Sequence, residues 1–144
     1  MKKVVVSVLV LASTLTVASD TVTLSETGFS AERKIVARIY SKEIDEAKSI
    51  PSLSGDPVVA ISTIDLNRDG KQEIIARIMH TYWCGSHGCK LVILTMLPDG
   101  TWKEIASLVS HGELEVHDEY KNNYRTITFD HSNKTWVFEN GKYQ

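Results

Sequence analysis

The chain is poor in cysteine, carries no excess of basic charge, and has no long apolar run beyond its first residues. Two cysteines in 144 residues leave room for at most one disulfide, so a hydrophobic core must hold the fold. The length suffices for one domain with a sizeable core. The 16 Lys and Arg against 18 Asp and Glu exclude the basic stripe of a nucleic-acid binder. No segment after residue 19 is apolar enough to span a membrane. There is no G-x-S-x-G elbow, no glycine-rich phosphate loop and no H-E-x-x-H pair. The chain is therefore expected to be non-catalytic. No internal repeat occurs.

What is present begins with a leader-like segment. Lys2 and Lys3 precede a short apolar stretch, Val4 to Val17, followed by small residues at Val17-Ala18-Ser19. This is the pattern of a secretory signal over residues 1–19, cut after Ala18 or after Ser19. The alternative is a buried N-terminal strand. Without Lys2 and Lys3 the remainder has 14 basic against 18 acidic residues, a net of −4. A signal implies a periplasmic or secreted protein in an oxidising compartment.

Residues 20–29 are expected as a flexible lead, and residues 30–144 as a single α+β domain. Ser30 is placed to cap a helix running to about Lys48. Ile35, Val36, Ile39, Tyr40, Ile44 and Ala47 fall on one face of it. Pro51, Gly55 and Pro57 then break the helix. From Val58 onward the segments VVAISTI, EIIARIMHTYW, KLVILTML, TWKEIASLV, ELEV, RTITFD and TWVFENGKYQ read as strands. Short links favour antiparallel neighbours. The predicted fold is an N-terminal helix packed on one meandering antiparallel sheet.

Two loops carry chemistry. In DLNRDGKQE, residues 65–73, Asp65, Asn67 and Asp69 stand at alternate positions, and Gly70 permits a sharp bend. Calcium takes six to eight oxygens. Here the side chains of Asp65, Asn67, Asp69 and Glu73 and the backbone carbonyl of Lys71 would supply five. A helical calcium hand would need a carboxylate at Ala76, which lies in an apolar run. The pattern D-x-N-x-D-G-x-x-E resembles the strand-loop-strand calcium loops of integrin-type propeller blades. That resemblance implies a structural calcium ion in a hairpin. The metal-free alternative is a turn built from favoured turn residues.

The second loop is YWCGSHGCKL. Cys84 and Cys89 are expected to pair, on the grounds of export. Zinc on His80, Cys84, His87 and Cys89 is the rival reading. A disulfide-closed loop between two strands would be rigid and lose little entropy on meeting a partner. C-x-x-H-x-C resembles the loop of the periplasmic inhibitor family of vertebrate-type lysozyme. That resemblance implies a ring closed by Cys84 and Cys89 that presents His87 to paired catalytic carboxylates. The alternative is an exposed histidine without a role. A broader likeness over residues 58–143 is to small exported bacterial proteins of unassigned function, and implies an exported, non-catalytic domain. A protein partner is expected, a cell-wall hydrolase among the candidates. The loose set His111, Glu113, Glu115 and His117 reads as solvated surface, and the later aromatics as packing.

Overall fold

The computed structural model describes residues 18–53 and 55–144. The leader expected over residues 1–19 lies almost wholly outside them. The strands are β1 (Ser19–Val22), β2 (Val58–Ile64), β3 (Glu73–Met79), β4 (Cys89–Met96), β5 (Trp102–Ser110), β6 (Leu114–Lys121), β7 (Tyr124–Phe129), β8 (Phe138–Glu139) and β9 (Lys142–Tyr143). Two short helices, α1 (Ser30–Ile39) and α2 (Ser41–Lys48), precede a 3-10 turn at Pro51–Leu53.

This corrects the predicted helix-on-sheet α+β fold. The protein is β-rich, and its strands form three sheets rather than one. Strands β2-β3-β4-β5 make an antiparallel meander in chain order. A second sheet has the order β1-β6-β7, and β8-β9 is a separate hairpin.

The four-stranded sheet is the middle layer. On one side Ile61, Ile74, Ala76, Ile78, Val92 and Leu94 bury against Val36 and Tyr40. On the other, Ile75, Leu91, Ile93, Ile105 and Ala106 meet Leu114, Val116, Ile127, Phe129, Val22 and Tyr143. Being covered on both faces, β3 and β4 need apolar residues at nearly every position. That is why EIIARIM and KLVILTM read as continuous runs rather than alternating ones. Each fully enclosed Ile or Leu contributes roughly 1.5–3 kcal/mol.

The predicted helix is interrupted at Tyr40, whose backbone (φ −101°, ψ 19°) leaves the helical region. Its apolar face is nevertheless the buried one: Val36, Tyr40 and Ala47 are enclosed, and Ile35, Ile39 and Ile44 pack around them. The Tyr40 hydroxyl donates to Glu104 on β5, which ties the break to the sheet. Ser30 is the first helical residue rather than the cap; Phe29 precedes it with φ +51° and no side-chain cap bond is made.

The stretch expected as a flexible lead is paired. β1 runs antiparallel to β6, with Ser19 opposite His117 and Val22 opposite Leu114. Ser25 bridges Ile61 through two 2.8 Å backbone bonds. The strand expected over Glu73–Trp83 ends at Met79. The His80 carbonyl accepts from the Trp83 and Cys84 amides, turning the chain. TWVFENGKYQ is a hairpin rather than one strand, with Asn140 (φ +52°) and Gly141 (φ +82°) at its bend.

Candidate functional site

The acidic loop joins β2 to β3 and is closed by its own side chains. Asp65 accepts from the amides of Asn67 (3.2 Å) and Gly70 (3.0 Å). Asn67 accepts from the Asp69 amide at 3.0 Å, and Asp69 from the Lys71 amide at 2.8 Å. Gly70 has φ +82°, which a side chain would disfavour. Leu66 points the other way and is fully enclosed in the core between the sheets.

Glu73, expected to close the loop's ligand ring, is turned inward and is 1% exposed. One carboxylate oxygen accepts from the Leu66 amide at 2.7 Å, the other from the Thr95 hydroxyl at 2.8 Å. Burial raises its pKa; those two hydrogen bonds pull it down by less, and the charges of Asp69 and Asp65 push it further up. Thus Asp65, Asn67, Asp69 and the Lys71 backbone share the outer turn, while Glu73 fastens the base. Among the described residues, no three His, Cys, Asp or Glu side chains stand in an arrangement that would hold a metal ion.

At the other end of β3, Cys84 and Cys89 form a disulfide with their Cα atoms 4.0 Å apart. No cysteine is free, which removes the thiolates that the zinc reading required. Gly85 and Gly88 exchange backbone bonds of 2.8 and 3.1 Å. This leaves Ser86 and His87 as the two central residues of a tight turn. Gly88 has φ +106°, and a Cβ there would meet the Ser110 backbone at 2.2 Å. His87 is exposed, and its Nδ1 lies 3.0 Å from the Ser86 hydroxyl.

His80 serves the frame instead. Its Nδ1 accepts from the Tyr82 amide at 3.0 Å, so its Nε2 carries the proton and donates to the carbonyls of Leu53 (2.8 Å) and Gly55 (3.0 Å). Around His87 lies a shallow depression lined by Tyr82, Trp83, the Cys84–Ser86 segment and Val109. Tyr82 and Val109 are two of the three large hydrophobic side chains exposed among the described residues.

A third feature lies on the outer face of β6 and β7. Glu113, Glu115 and His117, read from sequence as solvated surface, are joined there by His131. Its ring pairs with Glu113 through Nε2 and with Glu115 at 3.2 Å through Nδ1. Beside them Thr128 donates to Glu115 at 3.4 Å and faces the His117 Nε2 at 3.1 Å. His111 stays apart from this chain of contacts and lines only a neighbouring depression with Glu113, Asp130 and His131.

Asp130 sets the bend that brings His131 over. Its carboxylate accepts from the Ser110 hydroxyl (2.9 Å) and from the amides of Gly112 (2.8 Å), His111 (3.1 Å) and Glu113 (3.3 Å). Partial burial would raise its pKa, but these donors together bring it below the ordinary carboxylate value. No sequence signal brings position 131 to position 115. The contact comes from the β6–β7 pairing and from left-handed backbone at Asp130 (φ +53°) and His131 (φ +54°).

No described helix is long and apolar enough to cross a membrane. The chain matches no family model, no curated protein and no solved structure.

Proposed function

We propose that the protein is an exported, non-catalytic binding protein that acts by protein–protein contact in the cell envelope, through the disulfide-closed tip. The observation that carries this reading is the coincidence at one end of the sheet of a cross-linked turn, His87 at its apex, and the exposed apolar side chains of Tyr82 and Val109. A cross-linked turn surrenders little conformational entropy on docking. Aromatic side chains such as Tyr and Trp are the usual anchors of protein interfaces. Export is supported by the leader pattern and agrees with the disulfide.

Affinity capture from an envelope extract tests this, using the wild type and a Tyr82→Ser/Val109→Ser variant that leaves the cysteines in place. A protein retained by the wild type and lost by the variant is the expected result. The same proteins recovered with both would refute the reading.

A second reading makes the partner a lysozyme or another peptidoglycan hydrolase, with His87 as the inhibitory residue. The exposure of His87 and its hydrogen bond through Nδ1, which turns Nε2 away from Ser86, favour it. An imidazole so held can meet a pair of acidic side chains. The wild type should then slow peptidoglycan lysis by a susceptible lysozyme, and His87→Ala should lose most of the effect. Undiminished inhibition by His87→Ala ends the case for that residue.

Calcium enters the same proposal as a structural ion on the outer turn. Asp65, Asn67 and Asp69 would give side-chain oxygens, and Lys71 its carbonyl. Glu73 could join only by sharing oxygens already bound to Leu66 and Thr95.

A further inference from the structure

Strand β5 is the outermost strand of the four-stranded sheet. It forms a ladder with β4, and among the described residues its other edge joins no strand or bridge. An edge of nine residues presents a row of outward N–H and C=O groups with which another chain can pair. A groove runs beside it.

The groove has a volume of about 350 Å3 and is lined on one side by residues 104–107 of β5. Glu104 points to the helical layer, where it accepts from the Tyr40 hydroxyl. Ile105 and Ala106 point the other way, into the core between the sheets. Side chains leave a strand on its two faces, so a cavity that touches residues of both faces lies along the backbone edge. A bulge sits at the same place. Ile93 stands opposite Ala106 and Leu94 opposite Glu104, which makes Ile105 an extra residue on β5 and bends the strand there.

The opposite wall is Trp136 with residues 142–144 at the β8–β9 hairpin. Trp136 is held there by its backbone bridge to Ile127 and by its ring, edge-on to Phe129 at 5.5 Å. At the start of β5 the hairpin closes in: a Cβ on Gly141 would meet the Lys103 Nζ at 2.9 Å. At the other end the strand runs on to Val109, which lines the depression at the tip.

This lining selects the occupant. Glu104 and Lys142 are the only charged side chains in it and cancel, so neither a polyanion nor a polycation is favoured. The edge of another sheet would meet the hairpin wall, whereas a single extended segment can lie between the two walls. Residues 104–107 span roughly 13 Å at about 3.4 Å per residue, room for about four residues of an added strand.

We propose that the groove takes an extended, uncharged peptide segment of a partner protein, which adds to the edge of β5 and sets an apolar side chain against Trp136. The proposal rests on the reading of the protein as one that binds proteins, but not on the tip as the place of contact.

A random heptapeptide library displayed on phage and selected against the purified chain supplies the probes. Enriched peptides are synthesised and their affinities measured by fluorescence anisotropy. N-methylation should weaken binding about tenfold or more at every second residue and less than about twofold at the residues between, because only alternate amides of an added strand face β5. Ser107→Arg, at an exposed position, fills the groove and should weaken binding about tenfold with an unchanged melting temperature. Tyr82→Ser, at the tip, should bind the same peptides as tightly as the wild type.

No enriched peptide, a loss spread evenly over all N-methylated positions, or full affinity in Ser107→Arg overturns the proposal. So does protection of the β5 amides from hydrogen exchange that rises with protein concentration in the absence of peptide, which would make the edge a contact between two copies. Peptides lost with Tyr82→Ser and kept with Ser107→Arg overturn it too, while leaving the tip reading in place.

Discussion

At the scale of single residues, the acidic loop is governed by Leu66 and Glu73, its two inward-facing members. Leu66 fills the core, and the Glu73 carboxylate holds the Leu66 amide in place. Because burial raises the Glu73 pKa, the folded chain holds that proton more tightly than the unfolded one. Its contribution to stability is therefore complete at and below the ordinary glutamate range and is lost as pH rises through the raised value. Glu73→Gln keeps both contacts, its oxygen accepting from Leu66 and its amide donating to Thr95. It should match or exceed the wild type in melting temperature at pH 7, with the difference shrinking towards pH 4. Glu73→Ala should cost about 1–3 kcal/mol in a denaturant titration by leaving the Leu66 amide unpaired. A calcium titration belongs beside these. Calcium should raise the melting temperature of the wild type and not that of Asp69→Ala, and identical curves in calcium and chelator would remove the ion from the account. The spacing of Asp65, Asn67 and Asp69 was legible in the sequence, as was the turn at Gly70. The inward role of Glu73 was not, since a carboxylate directly before an apolar pair looks the same whether it faces a metal or a threonine hydroxyl 22 residues away.

At the scale of elements, hairpins decide what each loop presents. The disulfide ring between β3 and β4 was readable from two cysteines behind a leader-like segment. Its lean against the next hairpin was not. Gly88 lies on the Ser110 backbone, and the Ser110 hydroxyl binds Asp130, so the tip is braced by the β5–β6 turn. Gly88→Ala faces both a left-handed φ and a 2.2 Å approach to backbone atoms. It should cost about 2–4 kcal/mol, seen as a lower denaturation midpoint, while a thiol assay still finds both cysteines oxidised. By the chain-entropy relation, a ring as small as Cys84–Cys89 adds only about 2 kcal/mol. Its contribution is thus comparable to that of one well-placed glycine. Two bends had sequence signals. Asn122 and Asn123 both take positive φ between β6 and β7, as Asn-rich pairs do in two-residue hairpins. The Asn140-Gly141 pair marks the turn that splits the final aromatic segment. Taking only ELEV as the strand hid the length of β6 (Leu114–Lys121), because half of that strand faces solvent and carries the polar residues a link would.

At the scale of the whole molecule, the error in fold class has a physical origin. Apolar runs in β3 and β4 show that those strands are buried on both faces, but not what covers the second face. The two short helices cover one, as their shared apolar stripe suggested, and the sheet β1-β6-β7 covers the other. Nothing local in ELEV or RTITFD states that these strands leave the first sheet. The second sheet is completed by β1, nearly a hundred residues away from its partner β6. Arg125, whose side chain is 9% exposed, clasps Asp20 and Asp118 across that seam at 2.9 and 3.0 Å, and Val22 of β1 is buried in the core between the sheets. This pairing carries a sequence in time. Closing so long a span is entropically late, so the first part of the chain to be synthesised is the last to find its place. Val22→Ala should accordingly speed unfolding severalfold and leave the folding rate nearly unchanged in stopped-flow measurements; an equal slowing of folding would mean that β1 joins early. A peptidase that cuts after Ala18 or Ser19 must bind those residues as free chain, which the β1–β6 pairing denies it. If the leader expected over residues 1–19 is removed there, processing comes before closure, and the second sheet is finished only after the cut.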